Sequence, residues 1–356
     1  MKKVMFASLI CAATCLTFIT SRPAWPADGP KEKTGYEFQK GMCYTTWSKE
    51  RYSTGGSDAS LRDLKKNGVT WVAILTTWYQ EKCSTTGIFP TDKTPSDASL
   101  IHAINTAHKA GMKVMLKPHL DVIDPSEGTW RGEIVCINES DWQKWFESYR
   151  DFILHYAKIA QEHKVEMFCI GTELTTVSSV REDMWRDVLI KPVREAYKGP
   201  LTYAANWNVE YLIVKFWDAL DYVGIDAYFP LVEDKEVPVF EEIKKAWEPW
   251  VKEIEEFQKK VKKPIIFPEA GYCSADGSVK TPWEEIAKGS VNMRLQAEAY
   301  KALMETFWPK EWFYGVYWWR WGTDIRMGGP HNRSFTPQNK TAQVLVRHWY
   351  DKPSPR

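Results

Sequence analysis

Two glutamates stand where apolar runs end. Glu173 follows "MFCIGT", and Glu269 falls in "PIIFPEAG" 96 positions further on. An ionised, unpaired carboxylate in such surroundings costs several kcal/mol, so it sits there only where something nearby uses a proton or a charge. Two carboxyl groups held about 5–5.5 Å apart suit glycoside hydrolysis with retention, and a gap of roughly 6.5–9.5 Å suits inversion. In the retaining case one acid must give its proton to the leaving oxygen, while the other attacks the anomeric carbon as the anion. Negative charge on one raises the pKa of the other, so a single pair can hold both states near neutral pH. For either glutamate alone, a plain ion pair with lysine or arginine is the competing role.

Both glutamates need strands to aim them. Strand-like runs recur at 40–46, 71–79, 113–120, 167–174, 201–207, 222–229, 264–271 and 315–321. Helical periodicity fills much of the space between them. Residues 97–111 read as a helix capped by Asp97 and stopped by Gly111, and 141–164, 237–260 and 291–307 repeat apolar residues three and four apart. Eight strands followed by helices or loops predict an α/β fold, a single (β/α)8 TIM barrel. A doubly wound sheet would usually carry a glycine-rich phosphate turn after its first strand, and none appears.

Chemistry in such a barrel gathers at the carboxyl ends of the strands. Those ends carry Trp78, Lys117, His119, Glu173, Asn206, Asp226, Tyr228, Glu269, Trp319 and Trp321. Glu173 and Glu269 are the catalytic candidates. Lys117 and His119 offer donors to sugar hydroxyls, and Tyr228 could orient Glu269. Asp226 could orient a neighbour or bind a hydroxyl. Trp319 and Trp321 alternate with Arg320 and so share one strand face; one is expected as a sugar platform and the other as core. Trp47 and Trp78 are further candidates for a platform. With His119 the only histidine at these ends, a metal centre is not expected.

Nineteen tryptophans in 356 residues are well above an ordinary share; a large aromatic core accounts for most of them, exposed indole faces that stack on sugar rings are the other use, and composition alone does not divide them. Lys+Arg 47 against Asp+Glu 46 argues against a nucleic-acid partner. Residues 1–27 read as a secretory signal peptide, with two lysines, an apolar stretch and small residues before a cut after Ala27. That leaves 28–356 as the barrel, secreted or periplasmic, with no membrane attachment after cleavage. Oligomeric state is not legible. The mature chain keeps five cysteines, of which Cys83 and Cys136 could form a bridge.

The motifs "LKPHL", "IGTEL", "AANW", "VGIDAYFPL", "FPEAGY" and "GVYWWRW", in this order of strands, resemble glycoside hydrolase family 113 of clan A. The similarity runs from about Lys40 to Trp349. It implies a retaining β/α-barrel hydrolase acting on β-1,4-mannan or mannooligosaccharides, with Glu173 as acid/base, Glu269 as nucleophile and no cofactor. Many clan A enzymes carry asparagine just before the acid/base, where it holds the sugar 2-hydroxyl. Thr172 stands there in this chain, so Asn206 is the candidate for that contact. A retaining enzyme for xylan or glucan, and a barrel that binds β-linked glycans without cleaving them, stay open as alternatives.

Overall fold

The computed structural model describes residues 35–285 and 289–355. The signal-peptide stretch, 1–27, lies outside the described residues. Glu37–Arg356 form one compact unit; of the other, Met1–Tyr36, only Gly35 and Tyr36 are described.

Eight strands close a barrel in chain order. They are β1 (Gln39–Thr45), β2 (Trp71–Gln80), β3 (Lys113–Val122), β4 (Met167–Thr172), β5 (Leu201–Asn206), β6 (Val223–Asp226), β7 (Ile265–Ala270) and β8 (Phe313–Gly322). Every neighbouring pair runs parallel, including β1 on β8. The expected (β/α)8 barrel is therefore the observed one.

Strands here are covered on both faces, which is why they read as continuous apolar runs instead of alternating ones. Ala73, Leu75, Met115, Met167, Cys169 and Tyr317 fill the barrel interior. Val72, Ile74, Val114, Leu116, Phe168 and Ile170 belong to the larger core between strands and helices. Gly171 is required by close approach: a Cβ there would lie 2.6 Å from the Tyr149 hydroxyl and 2.8 Å from the Tyr203 ring.

The helical layer holds α1 (Gly55–Lys66), α2 (Asp97–Lys109), α3 (Glu139–Glu162), α4 (Thr175–Val180), α5 (Glu182–Met184), α6 (Lys191–Ala196), α7 (Glu210–Ile213), α8 (Phe240–Ala246), α9 (Glu248–Val261), α10 (Met293–Phe307) and α11 (Thr341–Tyr350). Two expectations need correction. The α2 cap is Ser96, whose side chain accepts from Ser99 N, and not Asp97. The predicted helix 237–260 is two helices broken at Trp247, because Pro249 lacks the N–H an interior turn would use and sits instead in the first turn of α9. Among the described residues no helix is long and apolar enough to cross a membrane.

Helix α3 shows how a helix is fixed to the barrel. Asn138 caps it by accepting from Asp141 N, and Trp145, Phe146, Tyr149, Phe152, Ile153 and Tyr156 are buried along one face. Trp145 also donates from Nε1 to Gln80 Oε1 at 2.9 Å. Trp145→Ala should cost about 3–5 kcal/mol by cavity formation, with the orphaned Gln80 amide adding to it. A urea midpoint that implies less than about 1 kcal/mol would contradict this packing.

Cys83 and Cys136 are both buried as free thiols, so the bridge left open by the sequence is not formed in this structure.

Candidate active site

Glu269 occupies the next-to-last position of β7, beside Asp226 of β6. Three side chains face its carboxylate. Lys117 donates from Nζ to Oε1, Tyr228 donates its hydroxyl to Oε2 at 2.8 Å, and His119 Nε2 stands 3.5 Å from Oε1. Lys117 Nζ also lies 3.6 Å from Asp226 Oδ2. Burial works to lower the Lys117 pKa, yet the carboxylates of Asp226 and Glu269 outweigh it and raise the pKa above the ordinary lysine value. Lys117 is therefore a buried cation in contact with two acids. Asp226 is itself pushed well up, by burial first and then by the charges of Glu269 and Glu173, against the pull of Lys117.

Glu173 follows β4 with φ +50°, a left-handed backbone that costs a residue with a Cβ about 1–3 kcal/mol. Its N–H is held by Ala204 O at 2.8 Å, and the next N–H, of Leu174, donates to the Tyr203 hydroxyl at 2.8 Å. Asn206 Nδ2 donates to Glu173 Oε1 at 2.8 Å, and Arg131 Nη1 to Oε2 at 3.1 Å. Arg131 is anchored in turn by Asp121 and by Leu120 O. Burial raises the Glu173 pKa above the usual glutamate value, and the Glu269 charge adds to this, while Arg131 and Asn206 pull it back. So one glutamate receives donors from a buried cation and a phenol, and the other is biased toward its protonated form.

A cavity of about 380 Å³ opens over Glu269, lined by Trp47, His119, Arg131, Glu269, Trp319 and Arg320 among others. It shares Trp47, Asp121 and Arg131 with a neighbouring hollow of about 480 Å³ that Tyr79, Lys93 and Trp130 help to line. The His119 ring lies parallel to Trp319 at 6.0 Å. Burial, then the nearby Lys117 and Arg131 charges, hold the His119 pKa far below the usual histidine range, so it faces the cavity as a neutral imidazole. On the Asn206 side, Trp207 stacks on the half-exposed Trp283 with ring centroids 5.3 Å apart. Among the described residues no three His, Cys, Asp or Glu side chains group as a metal site would require.

Several sequence expectations are corrected. Trp78 does not reach the rim: it stacks on Phe152 and donates from Nε1 to the Tyr156 hydroxyl of α3. Leu75 and Tyr79 share the inward parity of β2, and Trp78 has the outward one. Trp321 is buried against α1, with Nε1 donating to Ser60 Oγ. It does not share a face with Trp319, because the β1–β8 register slips by one residue between Trp318 and Trp321. Trp319 lines the cavity and Trp321 is core. Lys117 and Asp226 are wholly buried beneath the cavity, the lysine between the carboxylates of Asp226 and Glu269, so neither side chain is exposed to receive a sugar hydroxyl. His119, Asn206 and Tyr228 lie beside the two glutamates. Thr172 is buried at the end of β4.

Sequence reading missed Arg131 and Asp121. The available signal was chemical: a strand-end acid calls for a donor, and "GTWRGE" supplies a guanidinium in the long loop after β3.

The family model for Glycoside Hydrolase Family 113 matches residues 42–340. Among solved structures, the GH113 β-mannanase AaManA from Alicyclobacillus acidocaldarius is 30% identical, with a TM-score of 0.79 over 88% of this chain and 97% of that one. A GH113 β-1,4-mannanase is likewise 30% identical, with a TM-score of 0.79 over 89% of this chain and 100% of that one. A Ruminococcus gnavus β-glucuronidase, 14% identical with a TM-score of 0.59, shares the fold over 88% of this chain and 50% of its own. No curated protein matches.

Proposed function

The chain belongs to glycoside hydrolase family 113, and from that premise we propose that it cleaves β-1,4-mannan or mannooligosaccharides by double displacement through Glu269 and Glu173. The observation that carries this reading is the unequal treatment of the two acids. Glu269 accepts from Lys117 and Tyr228 and so offers an oriented carboxylate to an anomeric carbon. Glu173 is biased toward the acid form by burial and by the Glu269 charge.

In the first step Glu269 attacks the anomeric carbon while Glu173 gives its proton to the departing glycosidic oxygen. A covalent glycosyl-enzyme results. Glu173, now ionised, takes a proton from water, which attacks the same carbon and releases Glu269 with net retention. Arg131 and Asn206 both donate to Glu173 and favour its ionised form, which serves the second step. The mannan substrate is supported by the β-mannanase relatives, and Trp47 and Trp319 offer apolar faces for the sugar chain.

The test is a proton NMR time course with mannohexaose. A β-anomer appearing before mutarotation is the expected outcome. An α-anomer would overturn double displacement, and no cleavage by folded protein would overturn the mannan reading and turn attention to xylan and glucan oligosaccharides. Export is part of the same proposal. Mass spectrometry of the secreted protein should find it beginning at Asp28, and an intact amino terminus would overturn it.

The acid role has a pH consequence. Activity should fall as pH rises through the Glu173 pKa, because the acid form is lost, and this limb should lie above the ordinary glutamate range. Arg131→Met removes a cation that favours the anion, so the alkaline limb of kcat/KM should move further up. A limb that stays in place or moves down would count against Arg131 acting on Glu173.

A further inference from the structure

Glu210, at the start of α7, is a fully buried carboxylate that the two-glutamate mechanism does not use. Four uncharged donors surround it. Oε1 accepts from the Tyr203 hydroxyl at 2.6 Å and Ser178 Oγ at 2.7 Å. Oε2 accepts from Asn206 N at 2.6 Å and Thr175 Oγ1 at 3.3 Å. Burial pushes its carboxyl up to about 7, against the donors of Tyr203, Asn206 and Ser178 that pull it back. Holding an acid in this place opposes folding, so its value must lie in what it orders.

The donors come from both segments that set Glu173. Thr175 and Ser178 belong to α4, which starts two residues after Glu173. Tyr203 accepts from Leu174 N, the peptide directly following Glu173. Asn206, fixed at its own N–H by Glu210, donates from its side chain to Glu173 Oε1. One carboxylate thus ties the chain after Glu173 to the side chain that grips it. From this network we infer that Glu210 is a positioning residue for the acid/base step, holding the left-handed turn at Glu173 and the Asn206 amide in mutual register. The inference rests on the assignment of Glu173 as acid/base.

An amide is a poor replacement for this carboxylate: with its oxygen kept for Asn206 N, its NH2 faces the Tyr203 and Ser178 hydroxyls, which must turn from donating to accepting, and the Tyr203 oxygen already accepts from Leu174 N. The test compares Glu210→Gln with the unaltered chain on mannohexaose and on 2,4-dinitrophenyl β-mannobioside, read as kcat/KM, which ends at the first irreversible step. The sugar leaving group needs a proton and the dinitrophenolate does not. General acid catalysis supplies about 10²–10⁴-fold, so misplacing the acid should lower kcat/KM for mannohexaose about 10–100-fold and for the aryl substrate less than about threefold. Equal losses on both substrates, or none on either, would overturn the inference. Tyr203→Phe, which cuts the link to Leu174, carries the same comparison if Glu210→Gln does not fold. Glu173→Ala, run alongside, keeps the two readings apart. If it shows no difference between leaving groups, the acid/base assignment fails. If it does and the Glu210 and Tyr203 variants do not, only the role of Glu210 falls.

Discussion

Glu269→Ala should abolish all but a trace of turnover, on the order of a 10⁴-fold loss or more, which is about 5.5 kcal/mol of transition-state stabilisation. The reason is chemical and not electrostatic. With no carboxylate at that position no glycosyl-enzyme can form, and a methyl group cannot substitute. The vacated space offers a second readout. Azide can enter from the face Glu269 occupied, so the variant should recover activity on the dinitrophenyl substrate and give the α-glycosyl azide. Glu173→Ala should instead give the β-azide, formed from a glycosyl-enzyme that still needs Glu269. A β-azide from the Glu269 variant would reverse the two roles. Activity retained within tenfold would remove Glu269 from the mechanism, and sugar binding without cleavage by the unaltered chain would favour a glycan-binding barrel.

Lys117→Met is the second large effect, and it acts on the fold as well as on turnover. The lysine stands between Glu269 and Asp226 with none of the three side chains more than 5% exposed. Removing one partner of a buried ion pair typically costs 3–5 kcal/mol, roughly, because an uncompensated charge is left behind. Two acids would be left here. The loss should also depend on pH, with a definite sign. Asp226 already has a raised pKa in the folded protein, chiefly through burial, and Lys117 is the charge that pulls it down. Without Lys117 the folded chain binds that proton more tightly still than the unaltered folded chain does. The gap in stability between the variant and the unaltered chain therefore widens as pH rises through the Asp226 pKa of the unaltered protein, and part of it closes as pH is lowered toward the unfolded aspartate value. Denaturant midpoints followed from neutral pH downward should show the gap narrowing. A gap below about 1 kcal/mol at pH 7 would mean that Lys117 does not neutralise this cluster.

Turnover in the same variant should fall further than stability explains, since Glu269 loses the donor to Oε1 that fixes its orientation. Tyr228 alone would then hold it, through one oxygen.

The sequence by itself determined the barrel, because eight apolar runs with helical periodicity between them leave few other ways to bury both faces of each strand. It also determined that Glu173 and Glu269 share one mouth, since in a parallel barrel every strand ends on the same side. Tertiary structure decided which way the side chains face. Parallel strands covered on both sides carry no polar–apolar alternation, so nothing in "ILTTWY" distinguishes the outward Trp78 from the inward Tyr79. In β8 the bulge between Trp318 and Trp321 breaks the parity that spacing alone implies, which sends Trp319 to the cavity and Trp321 to the core. Depth was equally hidden: Lys117 and His119 point the same way, yet the two-residue step places the lysine under Glu269 and the histidine beside the cavity. Arg131 and Glu210 reach the site from a loop and a one-turn helix, where no period constrains a side chain and only the folded contacts assign a partner.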